Sequence, residues 1–160
     1  MSAPRNLHGT AIVLGATGIL ITGPSGAGKS ALALSLLAAA QRDGLFAALI
    51  ADDQVIITIC NGRVLASAPP SIAGLMEIRG TGIVERDHLA EAVIDFALLP
   101  VDPAKAERLP DPSETLAVSD GHGVPLVRLR FPDADPFAAL CALCPGLAQG
   151  IAATPRFAER

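Results

Sequence analysis

The sequence has 160 residues, of which 51% are hydrophobic, and a formal net charge of −4. This length suits a single domain, 1–160, with a sizeable core, and the apolar content argues against disorder. The negative charge and the absence of Trp and Tyr argue against nucleic acid as the main partner, because such proteins normally present basic faces and stacking side chains. The most apolar segment, 137–153, is interrupted by Pro145 and Gln149, so no membrane partner is predicted.

The first predicted elements are two short strands joined by a turn. Residues 1–6 predict a frayed terminus. The apolar runs 10–14 and 19–22 flank a glycine-containing turn, 15–18, and therefore predict a β-hairpin. This hairpin would lead the chain directly into the segment that begins at residue 23.

Segment 23–30 matches the pattern of the phosphate-binding P-loop. A buried strand is predicted before it and a helix, 31–40, after it, which is the context that the motif requires. Its glycines let backbone N–H groups turn onto an anion, and the helix N-terminus adds partial positive charge. Lys29 is predicted to reach the β- and γ-phosphates, and the Ser30 hydroxyl to hold Mg²⁺. The predicted phosphate-binding residues are Gly23, Pro24, Ser25, Gly26, Ala27, Gly28, Lys29 and Ser30.

Two pairs of charged residues follow the P-loop. The apolar run 45–51 predicts a buried strand that ends in Asp52 and Asp53, a Walker B pattern that brings carboxylates to the P-loop's Mg²⁺. A solvated turn is the alternative interpretation. Glu77 and Arg79 are two residues apart, so both side chains would point the same way on an extended chain. For this second pair, a structural salt bridge is the alternative.

The rest of the chain alternates strands with loops, and helix and hairpins together predict an α/β fold with a mixed sheet. The predicted elements are a hairpin of 55–60 and 63–67 around Asn61–Gly62, a strand at 92–99 bounded by Pro100, a mobile loop at 101–113, a hairpin of 114–118 and 124–129, and a helix at 137–143.

These motifs, in this order, resemble the catalytic domain of HPr kinase/phosphorylase, the bacterial enzyme that phosphorylates a serine of the phosphocarrier protein HPr. The resemblance covers Leu7 to Val84, and its most specific part is the Glu-Ile-Arg-Gly segment, 77–80, that follows the aspartate pair. It implies a fold similar to phosphoenolpyruvate carboxykinase, with ATP and Mg²⁺ as cofactors and HPr as the substrate protein. It also implies a homo-oligomer, which in this family is a hexamer.

The resemblance also implies roles for individual residues. Segment 23–30 would bind ATP, with Ser30 and Glu77 holding Mg²⁺. One aspartate of the pair would be the base towards the target serine, and the other would support the metal or pair with His8. We favour Asp53 as the base, and Arg79 could stabilise charge on the transferred group. The implied catalytic residues are His8, Lys29, Asp52, Asp53, Arg79 and Arg108.

The sequence departs from the family at both ends. The family's N-terminal domain is not matched, the region after Val84 is shortened, and segment 125–131 stands where the family has a basic proline-glycine loop. We therefore expect a kinase of the short alphaproteobacterial form with weak phosphorylase activity. A signal peptide would be cleaved near the P-loop and destroy it, so the predicted location is the cytoplasm. A small-molecule P-loop kinase and a non-catalytic nucleotide-binding regulator stay open as alternatives.

Overall fold

A computed structural model describes residues 2–158. Two short 3₁₀ helices are also present: Pro70–Ile72 lies in the loop before the strand that begins at Leu75, and Leu147–Gln149 follows the last α-helix. The helices are α1 (Lys29–Arg42) and α2 (Pro136–Leu143); the strands are β1 (Arg5–His8), β2 (Thr10–Leu14), β3 (Thr17–Ile21), β4 (Ala47–Ala51), β5 (Gln54–Cys60), β6 (Arg63–Ser67), β7 (Leu75–Ile78), β8 (Gly82–Glu85), β9 (Glu91–Val93), β10 (Phe96–Val101), β11 (Thr115–Ser119) and β12 (His122–Arg130).

A six-stranded mixed sheet forms the centre of the molecule. Its strand order is β11-β12-β10-β3-β2-β4. Strand β10 runs parallel to both β3 and β12, whereas the β2–β3, β2–β4 and β11–β12 pairs are antiparallel. The predicted α/β class with a mixed sheet is therefore confirmed. Neither helix within residues 2–158 is long and apolar enough to cross a membrane.

The central sheet is covered on both faces. The helices pack on one face, and a four-stranded antiparallel sheet of order β1-β5-β6-β9 packs on the other. Strand β2 shows the consequence of this sandwich. Ile12 and Leu14 belong to the core on the helix side, while Ala11 and Val13 belong to the core between the sheets. Because successive side chains of a strand point to opposite faces, a strand between two layers must be apolar throughout.

The N-terminal segment is more ordered than the sequence predicts. Strand β1 begins at Arg5 and pairs antiparallel with β5, with His8 opposite Gln54. Farther back, the Ser2 N–H donates to the Ile59 carbonyl at 3.1 Å. The prediction of a frayed terminus is therefore wrong for residues 2–6, since the edge of the second sheet supplies backbone partners; Met1 lies outside the described residues. The pairing of β1 with β5 therefore fixes the backbone position of His8.

The prediction of one continuous strand at 92–99 is also wrong, because the segment belongs to two strands, β9 and β10. The chain leaves the four-stranded sheet after Val93 and enters the central sheet at Phe96. At the crossing, Asp95 exchanges two hydrogen bonds of 2.8 Å with the backbone of Gly18. Strand β10 then continues through Pro100, which pairs only with β12, because β3 has already ended at Ile21. A proline fits there because one side of the strand needs no ladder hydrogen bond.

The three predicted hairpins are confirmed. Strands β2 and β3 pair in register, β5 and β6 turn at Asn61 and Gly62, both of which have positive φ, and β11 pairs with β12. The final helix starts where Asp135 accepts hydrogen bonds from two backbone N–H groups of its first turn. The P-loop helix, α1, follows β3 directly, so the C-terminal end of β3 delivers residues 23–30 to one edge of the sheet.

Candidate active site

The P-loop wraps around the N-terminus of α1. Gly23, Gly26 and Gly28 all have positive φ values, which L side chains rarely adopt, so the loop depends on glycine. The Lys29 ammonium folds back and donates to the carbonyls of Gly23 and Pro24, both at 2.9 Å. The pKa of Lys29 is lowered overall. Burial is the main cause, the nearby Arg79 guanidinium adds to it, and the carboxylates after β4 act in the opposite direction. Lys29 is only 7% exposed, so its ammonium group is largely shielded from water.

Asp52 joins three different elements of the fold. Its Oδ1 accepts a hydrogen bond from the Thr10 hydroxyl of β2 at 2.8 Å and another from the Ser30 hydroxyl of α1 at 2.7 Å. Its Oδ2 accepts from the backbone N–H of Glu77 in β7 at 3.0 Å. The residue is only 5% exposed, so water cannot substitute for these donors. Asp52 therefore orients the Ser30 hydroxyl and anchors the start of the Glu77 segment.

Asp53, although adjacent in sequence, has a different environment. Its side chain is 65% exposed, and His8 Nδ1 lies 3.2 Å from its Oδ1. Its backbone carbonyl accepts from the Gly9 N–H at 3.2 Å and lies 3.1 Å from His8 Nδ1. Its φ of 69° places it in the left-handed region, which turns the chain sharply between β4 and β5. The Asp53 carboxylate consequently faces the open space with the His8 ring beside it.

A cleft of about 310 Å³ brings most of the predicted site residues together. Glu77 and Arg79 both border it, but Arg79 lies in the turn after β7 rather than on the strand. One terminal nitrogen of its guanidinium is 3.7 Å from the position that a Cβ on Gly26 would take. No ion pair within residues 2–158 joins Glu77 to Arg79, which disfavours the salt-bridge interpretation. The cleft is lined by His8, Thr10, Ser25, Gly26, Gly28, Lys29, Ser30, Ala31, Leu34, Asp52, Asp53, Glu77, Ile78 and Arg79.

The arginines of the C-terminal half lie elsewhere. Arg108 is exposed on the loop after β10 and does not border the cleft. Arg128 makes a bidentate pair with Glu114 at 2.7 Å, which lowers the pKa of that carboxyl, and Arg130 pairs with Asp133. Both paired arginines lie on the exposed face of β12. The structure does not bring Arg108 to the other site residues, and its predicted role stays a prediction.

The donor atoms in the cleft suit a magnesium ion that is shared with phosphates. No group of three or more His, Cys, Asp or Glu side chains within residues 2–158 could hold a metal by itself. Mg²⁺ in phosphoryl-transfer sites is commonly bound by one or two protein carboxylates together with substrate phosphates. Ser30, Asp52 and Glu77 all border the cleft, and the polar atoms of their side chains are all oxygens. This set fits a hard cation such as Mg²⁺.

Thr10 is the site residue that sequence reasoning missed. It is fully buried, and its hydroxyl contacts Asp52 across 42 positions of sequence. One signal could have indicated it. Thr10 is a polar residue at the start of an otherwise apolar strand, two positions after His8, and a buried hydroxyl needs a partner.

Comparison with known proteins identifies the relatives of this chain. The family model of the HPr Serine kinase C-terminal domain matches residues 1–93. The HPr kinase/phosphorylase of Clostridium tetani is 42% identical over 103 residues, which are 63% of this chain and 32% of that protein. The HPr kinase/phosphorylase of Limosilactobacillus reuteri is 44% identical over 85 residues, 52% of this chain and 25% of that protein. The chain thus spans about a quarter to a third of the length of these curated relatives.

A solved structure shares the fold. The Hpr(Ser) kinase/phosphatase from Coxiella burnetii superposes with a TM-score of 0.68 at 23% sequence identity. The match covers 87% of this chain and 91% of that one. The similarity therefore extends past residue 93, where the family model ends, into the central sheet's later strands.

Proposed function

The chain belongs to the family of the HPr serine kinase C-terminal domain, and from this premise and the geometry of the cleft we propose that it is an ATP-dependent protein serine kinase acting on HPr. The observation that carries the proposal is the unequal environment of the two aspartates. Asp52 is buried and uses both oxygens inside the protein, whereas Asp53 is exposed at the cleft. In the proposed kinase, the buried carboxylate positions the groups around the metal, and the exposed carboxylate accepts the proton of the serine hydroxyl.

The P-loop is proposed to bind the ATP phosphates. Its backbone N–H groups and the N-terminus of α1 provide fixed positive potential. Lys29 exchanges its bonds to the Gly23 and Pro24 carbonyls for bonds to phosphate oxygens, and the Arg79 guanidinium, which lies next to Gly26, adds a second positive charge. Mg²⁺ bound together with ATP would neutralise negative charge on the phosphates. Ser30 and Glu77 are proposed as its protein ligands, with Asp52 orienting Ser30.

Asp53 is proposed to be the general base. It takes the proton from the serine hydroxyl of HPr as the oxygen attacks the γ-phosphate, so the proton ends on an Asp53 oxygen while ADP leaves. His8, 3.2 Å from Asp53 Oδ1, holds the carboxylate in position. Asp52 cannot serve in this way without losing the hydrogen bonds that orient Thr10, Ser30 and Glu77.

The direct test is phosphorylation of purified HPr with ATP and Mg²⁺, with the modified serine located by mass spectrometry. HPr in which that serine is replaced by alanine is the substrate control. Lys29→Ala should reduce the rate by about 10²–10³-fold or more, because a charge that stabilises the transferred group is lost. Lys105→Ala is the matched enzyme control, since Lys105 is exposed on the loop after β10 and borders no part of the cleft.

The same experiment distinguishes the alternatives. Transfer to small hydroxyl compounds but not to HPr would indicate a small-molecule kinase. Nucleotide binding with no transfer to any acceptor would indicate a regulator, which would need neither His8 nor the aspartate pair. The single catalytic domain of residues 1–160, a hexameric assembly and a cytoplasmic location remain predictions alongside the proposed activity.

A further inference from the structure

One aromatic ring lies against the P-loop on the side away from the acids. The Cδ1 and Cε1 atoms of Phe131 are each 3.7 Å from the position that a Cβ on Gly28 would occupy. The Phe131 N–H donates to the Val101 carbonyl at 3.1 Å, which holds the residue at the end of β12. The side chain packs partly against the core on the helix side and is half-buried. Phe131 is therefore partly exposed and lies against Gly28, a residue that borders the cleft.

The strand order decides which way a nucleotide would extend. Strand β3 leads into the P-loop, with β2 and β4 on one side and β10 and β12 on the other. The acid side, at the end of β4, carries Asp52 and Asp53 and is where the γ-phosphate and the acceptor hydroxyl meet. Because a triphosphate is a linear chain, its other end, with ribose and base, can leave the loop towards the opposite side. That side is where β12 ends in Phe131.

No other aromatic side chain of residues 2–158 is available there. The sequence contains five Phe and neither Trp nor Tyr. Phe96 and Phe137 are buried in the core on the helix side. Phe46 lies just before β4, at the end of that strand remote from the aspartates, and Phe157 follows Arg156, whose N–H donates to the Leu143 carbonyl at the C-terminal end of α2. Phe131 is thus the aromatic ring that a base leaving the P-loop could meet.

We propose that Phe131 is the platform on which the purine base of the nucleotide stacks. The inference rests on the proposed function in that it needs a nucleotide in the P-loop with its γ-phosphate towards Asp52 and Asp53; its test needs neither HPr nor transfer. Stacking of a base on an aromatic side chain changes affinity by about 5- to 150-fold when the ring is removed. Such an effect must act on ligands that have a base and must spare ligands that have only phosphates.

The test compares two ligands on the full chain by isothermal titration calorimetry with Mg²⁺ present. ADP carries the base, and inorganic triphosphate carries only the charge. For Phe131→Ala we expect ADP binding to weaken about 5- to 150-fold and triphosphate binding to stay within about twofold. Phe131→Leu keeps apolar volume against Gly28 without an aromatic face, and we expect it to weaken ADP at least about fivefold. Phe131→Tyr, which restores the ring, should bind ADP within about twofold of the parent chain.

Three results would overturn the inference. Equal weakening of ADP and triphosphate in Phe131→Leu would show that the ring only supports the loop. Unchanged ADP affinity in the folded Ala and Leu variants would show that the base lies elsewhere. If the parent chain bound triphosphate well but ADP no better, no base site would exist, although the P-loop would stand. Failure of the parent chain to bind either ligand would instead refute the proposed function together with this inference.

Discussion

Replacing Thr10 by Val tests the hydrogen-bond network around Asp52. Valine has nearly the same shape as threonine but no hydroxyl, and the site is 0% exposed, so the change removes one 2.8 Å hydrogen bond to Asp52 and lets in no water. A hydrogen bond to a charged group contributes about 1.5–3 kcal/mol, so we expect the free energy of unfolding to fall by about that amount. For a chain of this size, each kcal/mol of lost unfolding free energy lowers the melting temperature by about 2–4 °C. The melting temperature should therefore drop by roughly 3–12 °C.

Thr10→Ser is the matched control. It keeps the hydroxyl and loses one methyl group, which costs about 0.5–1.5 kcal/mol in a buried position. Urea denaturation of the three proteins measures the stabilities, and an unchanged slope would show that the surface exposed on unfolding is the same in all three.

A magnesium titration gives a second readout. Ser30 shares Oδ1 of Asp52 with Thr10, so Asp52 should be less well fixed in the valine variant and half-saturation should need more Mg²⁺. The serine variant should titrate like the parent chain. Equal stability and equal Mg²⁺ dependence of the valine and serine variants would refute the view that Thr10 positions Asp52.

Three further predictions concern the acids and the direction of the reaction. Asp53→Asn should reduce phosphorylation of HPr by about 10²–10⁴-fold with little change in nucleotide affinity, because an amide cannot accept the proton; a larger turnover loss in Asp52→Asn at normal Mg²⁺ affinity would exchange the two roles. Glu77→Gln should raise the Mg²⁺ concentration for half-maximal rate, and an identical titration curve would exclude Glu77 as a ligand. Serine-phosphorylated HPr with millimolar phosphate should release pyrophosphate more slowly than the forward reaction proceeds, since the arginines of β12 are already ion-paired; comparable rates would contradict this expectation.

The difference between the two aspartates follows from position rather than residue type. Asp52 directly follows the last residue of β4, and its carboxylate accepts hydrogen bonds from three elements. One residue later the backbone turns at positive φ, and the Asp53 side chain emerges into the cleft. Adjacent identical residues thus acquire different environments, because the environment depends on which groups the rest of the chain brings near.

The sequence by itself determined the features that arise from neighbouring residues. Glycine spacing identified the P-loop because only glycine accepts its backbone angles, and the apolar runs on either side identified β3 and α1. Asn61–Gly62 specified its hairpin for the same local reason.

Only the tertiary structure decided the features that depend on distant residues. The pairing of β1 with β5 places His8 beside Asp53, and the Thr10 hydroxyl reaches Asp52 across 42 positions. The crossing at Asp95 divides an apparently continuous strand between two sheets, and it passes so close to Gly18 that a Cβ there would overlap the Val93 carbonyl. Such contacts are selected by the burial of both faces of the central sheet, a property of the whole chain that no short stretch of sequence contains.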